Sequence, residues 1–228
     1  MIITEQKDFA EILRMLEGHS KVFLVGCGSC ATSWQTGGEK QVQEMAERLR
    51  DQGKIPTGGV VVESVCDERL TRLGFRQHAS EVAEADAFLV MSCGAGVQTA
   101  AGLLDKPVYP ALNALFLGRI QRLVLLADER CVLCGECVLA ETGGICPMAV
   151  CSKSLLNGPC GGYRDGKCEV DQTRDCGWVL IYERLRKLGQ LEKMRVAQPL
   201  KDYSRMTHPR RVDKRQAAAG ALGRGGQG

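Results

Sequence analysis

The chain has 228 residues, of which 44% are hydrophobic, 25% charged and 5% aromatic, enough to bury a core without covalent staples. No run reaches the roughly 18–20 apolar residues that cross a bilayer, the longest being broken by Pro110, Asn113 and Arg119, which excludes a transmembrane helix. The net charge of +3 says little about partners until it is divided along the chain, whereas twelve cysteines far exceed ordinary usage.

Met1 to Leu13 mixes Glu5, Lys7, Asp8 and Glu11 with spaced apolar positions and does not read as a secretory signal, so a cytoplasmic protein is expected. In a reducing compartment so many thiols point to metal ligands rather than disulfides. His19, His78 and His208 are scattered away from the cysteine clusters, so any metal site is expected to be all-thiolate, with three four-thiolate sites as the upper bound.

From Lys21 to about Asn113, short β-branched runs alternate with helix-like stretches, the pattern of βαβ units on a parallel sheet. Val22 to Val25, Val60 to Val65 and Ala87 to Met91 are predicted strands, with a fourth around Val108. Glu39 to Asp51 is a predicted helix with Val42, Met45, Ala46 and Leu49 on one face, and Gln98 to Leu104 is a second, stopped by Asp105-Lys106-Pro107. Residues 1–128 therefore read as a small doubly wound α/β domain.

Cys27, Cys30, Cys66 and Cys93 each follow a predicted strand, and parallel strands would gather them at one edge, where open α/β folds bind ligands. A four-cysteine metal site is expected there. A rival reading is a nucleotide loop, since Gly26-Cys27-Gly28-Ser29-Cys30-Ala31 fits G-x-G-x-x-A, although Glu63 and Asp67 lie too far on for its ribose-binding acid. Four buried, inert cysteines are the bland alternative.

After Asp128 periodicity gives way to a Cys-, Gly- and Pro-rich stretch, and residues 129–195 are expected to form an irregular domain organised by bound metal. Cys131-x2-Cys134-x2-Cys137 offers three thiolates from seven residues, as in the loop around a 4Fe–4S cluster, whereas a zinc knuckle takes its ligands in pairs. Cys146 precedes Pro147 as in ferredoxins, and Cys151, Cys160, Cys168 and Cys176 complete eight thiols. By the ferredoxin rule the expected sets are Cys131, Cys134, Cys137 and Cys176, and Cys146, Cys151, Cys160 and Cys168. Two or three 4Fe–4S clusters are thus expected in the chain, with zinc as the alternative in one site. Amides at Gly158, Gly161, Gly162 and Gly166, with Lys153, Arg164 and Lys167, would offset the negative charge of such a site, or else those basic residues are a solvated face. Trp178, Ile181, Tyr182, Leu185 and Leu188 follow helical spacing and predict a closing amphipathic helix.

Residues 196–228 carry seven basic residues (Lys201, Arg205, Arg210, Arg211, Lys214, Arg215 and Arg224) against Asp202 and Asp213, a balance of +5 that leaves −2 for the rest of a +3 chain. With Pro199, Pro209 and many glycines this segment reads as a basic flexible tail or an arm wrapped over a partner subunit. Only Tyr203 interleaves the charges, so nucleic-acid binding is not expected. No nucleophile with an adjacent base, no paired carboxylates and no phosphate loop is found, so no catalytic residue is expected. The chain reads as an electron carrier.

Gly144-Ile145-Cys146-Pro147 through Cys151, Leu155-Leu156-Asn157-Gly158-Pro159-Cys160-Gly161-Gly162, Gly166-Lys167-Cys168-Glu169-Val170, and then Cys176, Trp178 and Ile181-Tyr182-Glu183-Arg184-Leu185 closely resemble the cysteine-rich C-terminal domain associated with methylenetetrahydrofolate reductases. With Gly26-Cys27-Gly28-Ser29-Cys30, residues 1–195 resemble the small iron–sulfur subunit of the acetogenic bacterial enzyme. The resemblance implies a MetF-type flavoprotein partner that binds flavin and folate and performs the hydride chemistry. This chain would relay electrons between a donor module or ferredoxin-like carrier and that flavin, for reduction of 5,10-methylenetetrahydrofolate to 5-methyltetrahydrofolate in the acetyl-CoA pathway. The family domain is also described as zinc-binding, which leaves a structural zinc subunit as the alternative.

Overall fold

The computed structural model describes residues 1–212, which divide into two compact units, the first Met1–Glu129 and the second beginning at Arg130. In the first, a four-stranded parallel sheet is built from β2 (Lys21–Cys27), β3 (Ile55–Val62), β4 (Ala87–Met91) and β5 (Val108–Pro110), in the order β3-β2-β4-β5. Every residue of β4 and all of β2 after Lys21 are buried, which is why both read as unbroken apolar runs rather than as alternating ones.

The strand order steps one way from β2 to β3 and the other way from β2 to β4. Right-handed crossovers then put the helices on opposite faces, so the sheet is doubly wound. On one face α3 (Glu39–Asp51) packs on β3 and β2. On the other, α4 (Glu68–Gln77) packs on β3 and against α6 (Gly94–Ala101), with α5 (Ala79–Glu84) beside it. Helix α3 matches its expected bounds. Its Val42, Met45, Ala46 and Leu49 are buried, at about 1.5–3 kcal/mol for each of the larger side chains, and the Gly38 N–H at its start donates to Gln41 Oε1 at 3.1 Å.

Two predicted elements are displaced. Strand β3 begins at Ile55 and ends at Val62 rather than spanning Val60 to Val65, and Gly58 and Gly59 within it are packing sites. A Cβ on Gly58 would press on Glu81 and the Phe23 ring, and one on Gly59 would press on Val42, at 3.0–3.2 Å. Helix α6 starts at Gly94 rather than Gln98, since Gly96 is the only residue type that fits where a Cβ would meet Ser92 Oγ at 2.1 Å. The sequence reading also missed α4 and α5, and with them β1 (Ile2–Gln6), α1 (Phe9–Met15), β6 (Leu112–Gln121) and β7 (Leu126–Glu129). The three strands form a separate antiparallel sheet, β1-β6-β7.

The second unit has little regular structure among its described residues: α7 (Pro147–Val150), the closing helix α8 (Gly177–Leu188) and short 3₁₀ turns. Its core is the face of α8 bearing Trp178, Ile181 and Leu185, joined by Cys176 and packed against Ile145, Cys151 and Met194. The Trp178 indole N–H donates to the Leu155 carbonyl at 2.9 Å, tying the helix to the cysteine-rich loop. Gly189, in the left-handed region at φ 67°, ends the helix.

The described part of the basic segment, expected as a flexible tail or an arm over a partner subunit, is bonded to loops of its own chain. Gln198 N–H donates to Asn157 Oδ1 at 2.7 Å, Asp202 N–H to the Glu136 carboxylate at 2.8 Å, and the Arg210 guanidinium to the Leu133 carbonyl at 2.7 Å. Residues 201–210 therefore run back along the Cys131–Cys137 loop, with Gln198 tied to Asn157 just before them. Lys214, Arg215 and Arg224 lie outside the described residues. No helix among the described residues is long and apolar enough to cross a membrane.

Candidate functional site

All twelve cysteines are free thiols. Among the described residues no three His, Cys, Asp or Glu side chains converge in a metal-coordinating arrangement. What the fold provides is a grouping of thiols by strand end, loop and cavity, in three sets.

The first set stands at the carboxyl edge of the parallel sheet. Cys27 is the last residue of β2, level with Val62 of β3, and Cys30 opens the single-turn helix α2 (Cys30–Ser33). Cys66 lies four residues beyond Val62, and Cys93 lies two beyond Met91, which is level with Gly26. These three strand ends include the point between β2 and β4 where the strand order reverses, the usual ligand position in such sheets. α2, α4 and α6 all begin there, so the positive ends of their dipoles favour anions such as thiolates.

Cys27 is buried, Cys30 and Cys93 half-buried and Cys66 exposed. Burial pushes the Cys27 thiol up, but the Val65, Ser29 and Ala31 amides and the Ser29 hydroxyl outweigh it and leave the thiol below its ordinary value. Cys66 Sγ lies 3.3 Å from the Ser64 hydroxyl. This donor set suits a sulfur-bound anionic group.

The glycines of this loop do other work than expected. The Gly28 N–H donates to the Val62 carbonyl at 2.7 Å, and a Cβ there would lie 3.1 Å from the Glu63 Cα. Gly26 is hemmed in by Val42 and the Gly37 carbonyl. They permit close backbone packing. A dinucleotide loop instead leaves such amides free for pyrophosphate at the start of a long helix, and α2 spans four residues, which weighs against the nucleotide reading.

The second set is Cys131, Cys134, Cys137 and Cys146, which line one cavity of about 600 Å³ walled by Leu133, Val138, Leu139 and Met148. Leu133 and Gly135 both adopt left-handed conformations, at φ 55° and 80°, so the chain reverses on either side of Cys134, which is half-buried, while Cys131 and Cys137 are exposed. The Leu133 N–H donates to Cys131 Sγ at 3.4 Å. Cys146 joins from the N-cap of α7, whose Met148 forms part of the same wall.

The third set is Cys151, Cys160, Cys168 and Cys176, lining a cleft of about 10 Å³ with Lys153, Tyr163 and Trp178. A two-residue reversal at Asp165 and Gly166, both left-handed, pairs Arg164 with Lys167, and the Cys176 N–H donates to the Gly166 carbonyl at 2.7 Å. That hairpin draws Cys168 and Cys176 to the same side. The Ser152 hydroxyl and the Val170 amide hold the Cys168 thiol below its ordinary value.

The cavity linings thus place Cys146 and Cys176 the other way round from the expected sets. In ferredoxins the cysteine before proline crosses to the neighbouring cluster. Here Cys146, the N-cap of the helix that Pro147 starts, lines the cavity of the Cys131–Cys137 loop, while the Cys176 N–H is bound to the Gly166 hairpin. Lys153 and Lys167, expected to offset site charge, are each paired with a carboxylate, Glu169 and Asp175 respectively.

Lys201 is the residue the sequence reading missed. Counted with a solvated tail, it is 7% exposed, and its ammonium donates to the Glu136 carbonyl and lies 3.5 Å from Cys134 Sγ. Nothing in its sequence neighbourhood signals burial, because its partners lie more than sixty residues earlier.

Residues 109–204 match the family described as methylene-tetrahydrofolate reductase C terminal. The matched stretch contains all eight cysteines of the second unit and Lys201, and none of Cys27, Cys30, Cys66 and Cys93. No curated protein and no solved structure matches the chain.

Proposed function

We propose that this chain is the electron-carrying small subunit, of the MetV type, of a methylenetetrahydrofolate reductase. In that role it passes electrons from a donor module or ferredoxin-like carrier to the flavin of a MetF-type catalytic partner, for reduction of 5,10-methylenetetrahydrofolate to 5-methyltetrahydrofolate. The family match supplies the reductase, and the grouping of the cysteines supports the electron-carrying role. The single observation that carries it is the cavity lined by Cys131, Cys134, Cys137 and Cys146, a four-thiol set in a volume suited to a polynuclear cluster.

A 4Fe–4S cluster held there would supply one-electron chemistry. The chain's own residues would set the thiolates around that cavity through the turns at Leu133 and Gly135, line it with Leu139 and the buried Met148, and place Lys201 beside Cys134. Cys27, Cys30, Cys66 and Cys93 would hold a second cluster at the sheet edge.

One observation favours zinc in the remaining site. The cleft lined by Cys151, Cys160, Cys168 and Cys176 has room for about one water-sized sphere, which suits a single tetrahedral ion better than a cube of eight atoms. There the metal would hold the Gly166 hairpin to α8 without carrying electrons.

Metal and labile-sulfide analysis of the anaerobically purified chain tests the proposal. Iron and sulfide with a broad absorbance that bleaches on dithionite is the expected result, with one zinc per chain. A colourless protein holding zinc alone would move the assignment to a structural subunit.

A further inference from the structure

We infer that Lys201 offsets the charge of the group held by Cys131, Cys134, Cys137 and Cys146, and so sets how readily that site accepts an electron. The inference rests on the electron-carrier reading above.

Lys201 is the only charged residue among the buried residues described. Burying an ammonium is costly unless an anion or a full set of acceptors accompanies it. Two other lysines show the purely structural solution: Lys106 Nζ donates to the Val82, Ala83 and Ala85 carbonyls, and Lys54 Nζ to those of Leu16 and His19. Lys201 has one carbonyl, that of Glu136, and a sulfur. No carboxylate lies within ion-pairing distance of it among the described residues. The nearby Glu136 carboxylate accepts from the Asp202 N–H at 2.8 Å and faces Arg205 at 3.7 Å.

The negative charge that Lys201 lacks is what four thiolates supply. With a dication or a 4Fe–4S core of formal charge +2 they carry −2, and one added electron makes this −3. Arg130 and Arg210 line the same cavity, and Glu136 is its one acidic residue.

Position is fixed from both sides. Gln198 is bound to Asn157 and Asp202 to Glu136, so the main chain on either side of Lys201 is held, and its ammonium is bonded to the Glu136 carbonyl. A cation so placed stabilises the more negative, reduced state over the oxidised one. The electron comes from a reduced one-electron carrier, which is oxidised in turn. No bond in the chain forms or breaks.

The test compares Lys201→Gln and Lys201→Arg in the full chain, purified anaerobically, by iron and labile-sulfide content and by redox titration followed by electron paramagnetic resonance. With iron retained, Lys201→Gln is expected to lower the equilibrium constant for reduction at one site about tenfold, a fall of about 59 mV, while Lys201→Arg stays near wild type. Unchanged potentials in Lys201→Gln, or equal shifts in both variants, overturn the inference. Should Lys201→Gln shed iron, retention by Lys201→Arg supports the charge role, and loss from both overturns it. Wild-type protein with zinc and no labile sulfide defeats the electron-carrier reading instead. In that case faster zinc transfer to a chelator from Lys201→Gln than from Lys201→Arg upholds the charge role, and equal rates end it.

Discussion

Asn157 and Gln198 hold each other by two hydrogen bonds: the Gln198 N–H donates to Asn157 Oδ1 at 2.7 Å, and the Asn157 side-chain amide donates to the Gln198 carbonyl at 2.9 Å. The pair fastens the returning segment just before Lys201. Asn157→Ala removes both bonds, at roughly 0.5–1.5 kcal/mol each for neutral partners. Tryptic cleavage after Lys201 should therefore become several-fold faster while urea unfolding of the first unit is unchanged. Equal cleavage rates would show that the segment is held elsewhere.

The revised cysteine sets make a prediction the ferredoxin rule does not. Cys134→Ser and Cys146→Ser should each empty one and the same site, so the double variant should retain as much metal as either single variant. Cys134→Ser with Cys176→Ser should empty two. Metal counting on the three proteins decides between the partitions.

Much of the first unit is legible in the sequence, and the reasons can be named. Val22 to Val25 and Ala87 to Met91 read as strands because burial on both faces leaves no polar interruption, and α3 reads as a helix because one face alone is buried. The carboxyl-edge position of Cys27, Cys30, Cys66 and Cys93 follows from those strands. Strands β1 and β6 pair Ile2 with Leu117 across more than a hundred residues, and local pattern carries no trace of that pairing. In the second unit the cysteine spacing shows which loop wraps, but the allotment of Cys146 and Cys176 depends on a helix start and a hairpin that tertiary bonds decide. Lys201 was hidden for the same reason.

Gly96 offers a check on the sheet-edge set from the stability side. A Cβ there would meet Ser92 Oγ at 2.1 Å and Val65 Cβ at 3.0 Å, so Gly96→Ala must displace the segments leading to Cys66 and Cys93. A loss of about 1–3 kcal/mol in urea unfolding is expected, with less iron bound, while the cysteine sets of the second unit keep their metal.

Asp86 gives the first unit an acid sensitivity. Its burial raises the carboxyl's pKa, but the Lys21 and Ser20 amides, with His19 and Lys54, outweigh this and hold it below its ordinary value of 3.8. The folded value is thus below the unfolded one. The stabilisation is present above pH 3.8 and is lost as pH falls through and beneath it. Asp86→Asn should lower the melting temperature at pH 7, and the gap from wild type should close as pH falls below about 4.

Lys201 follows Cys134 by 67 positions. During synthesis the loop bearing Cys131, Cys134 and Cys137 therefore leaves the ribosome well before the stretch that is bonded to it. Until residues 198–210 arrive, a nascent chain presents Cys131, Cys134, Cys137 and Cys146 without the Lys201 ammonium beside them, so the order of translation sets which of the two comes first.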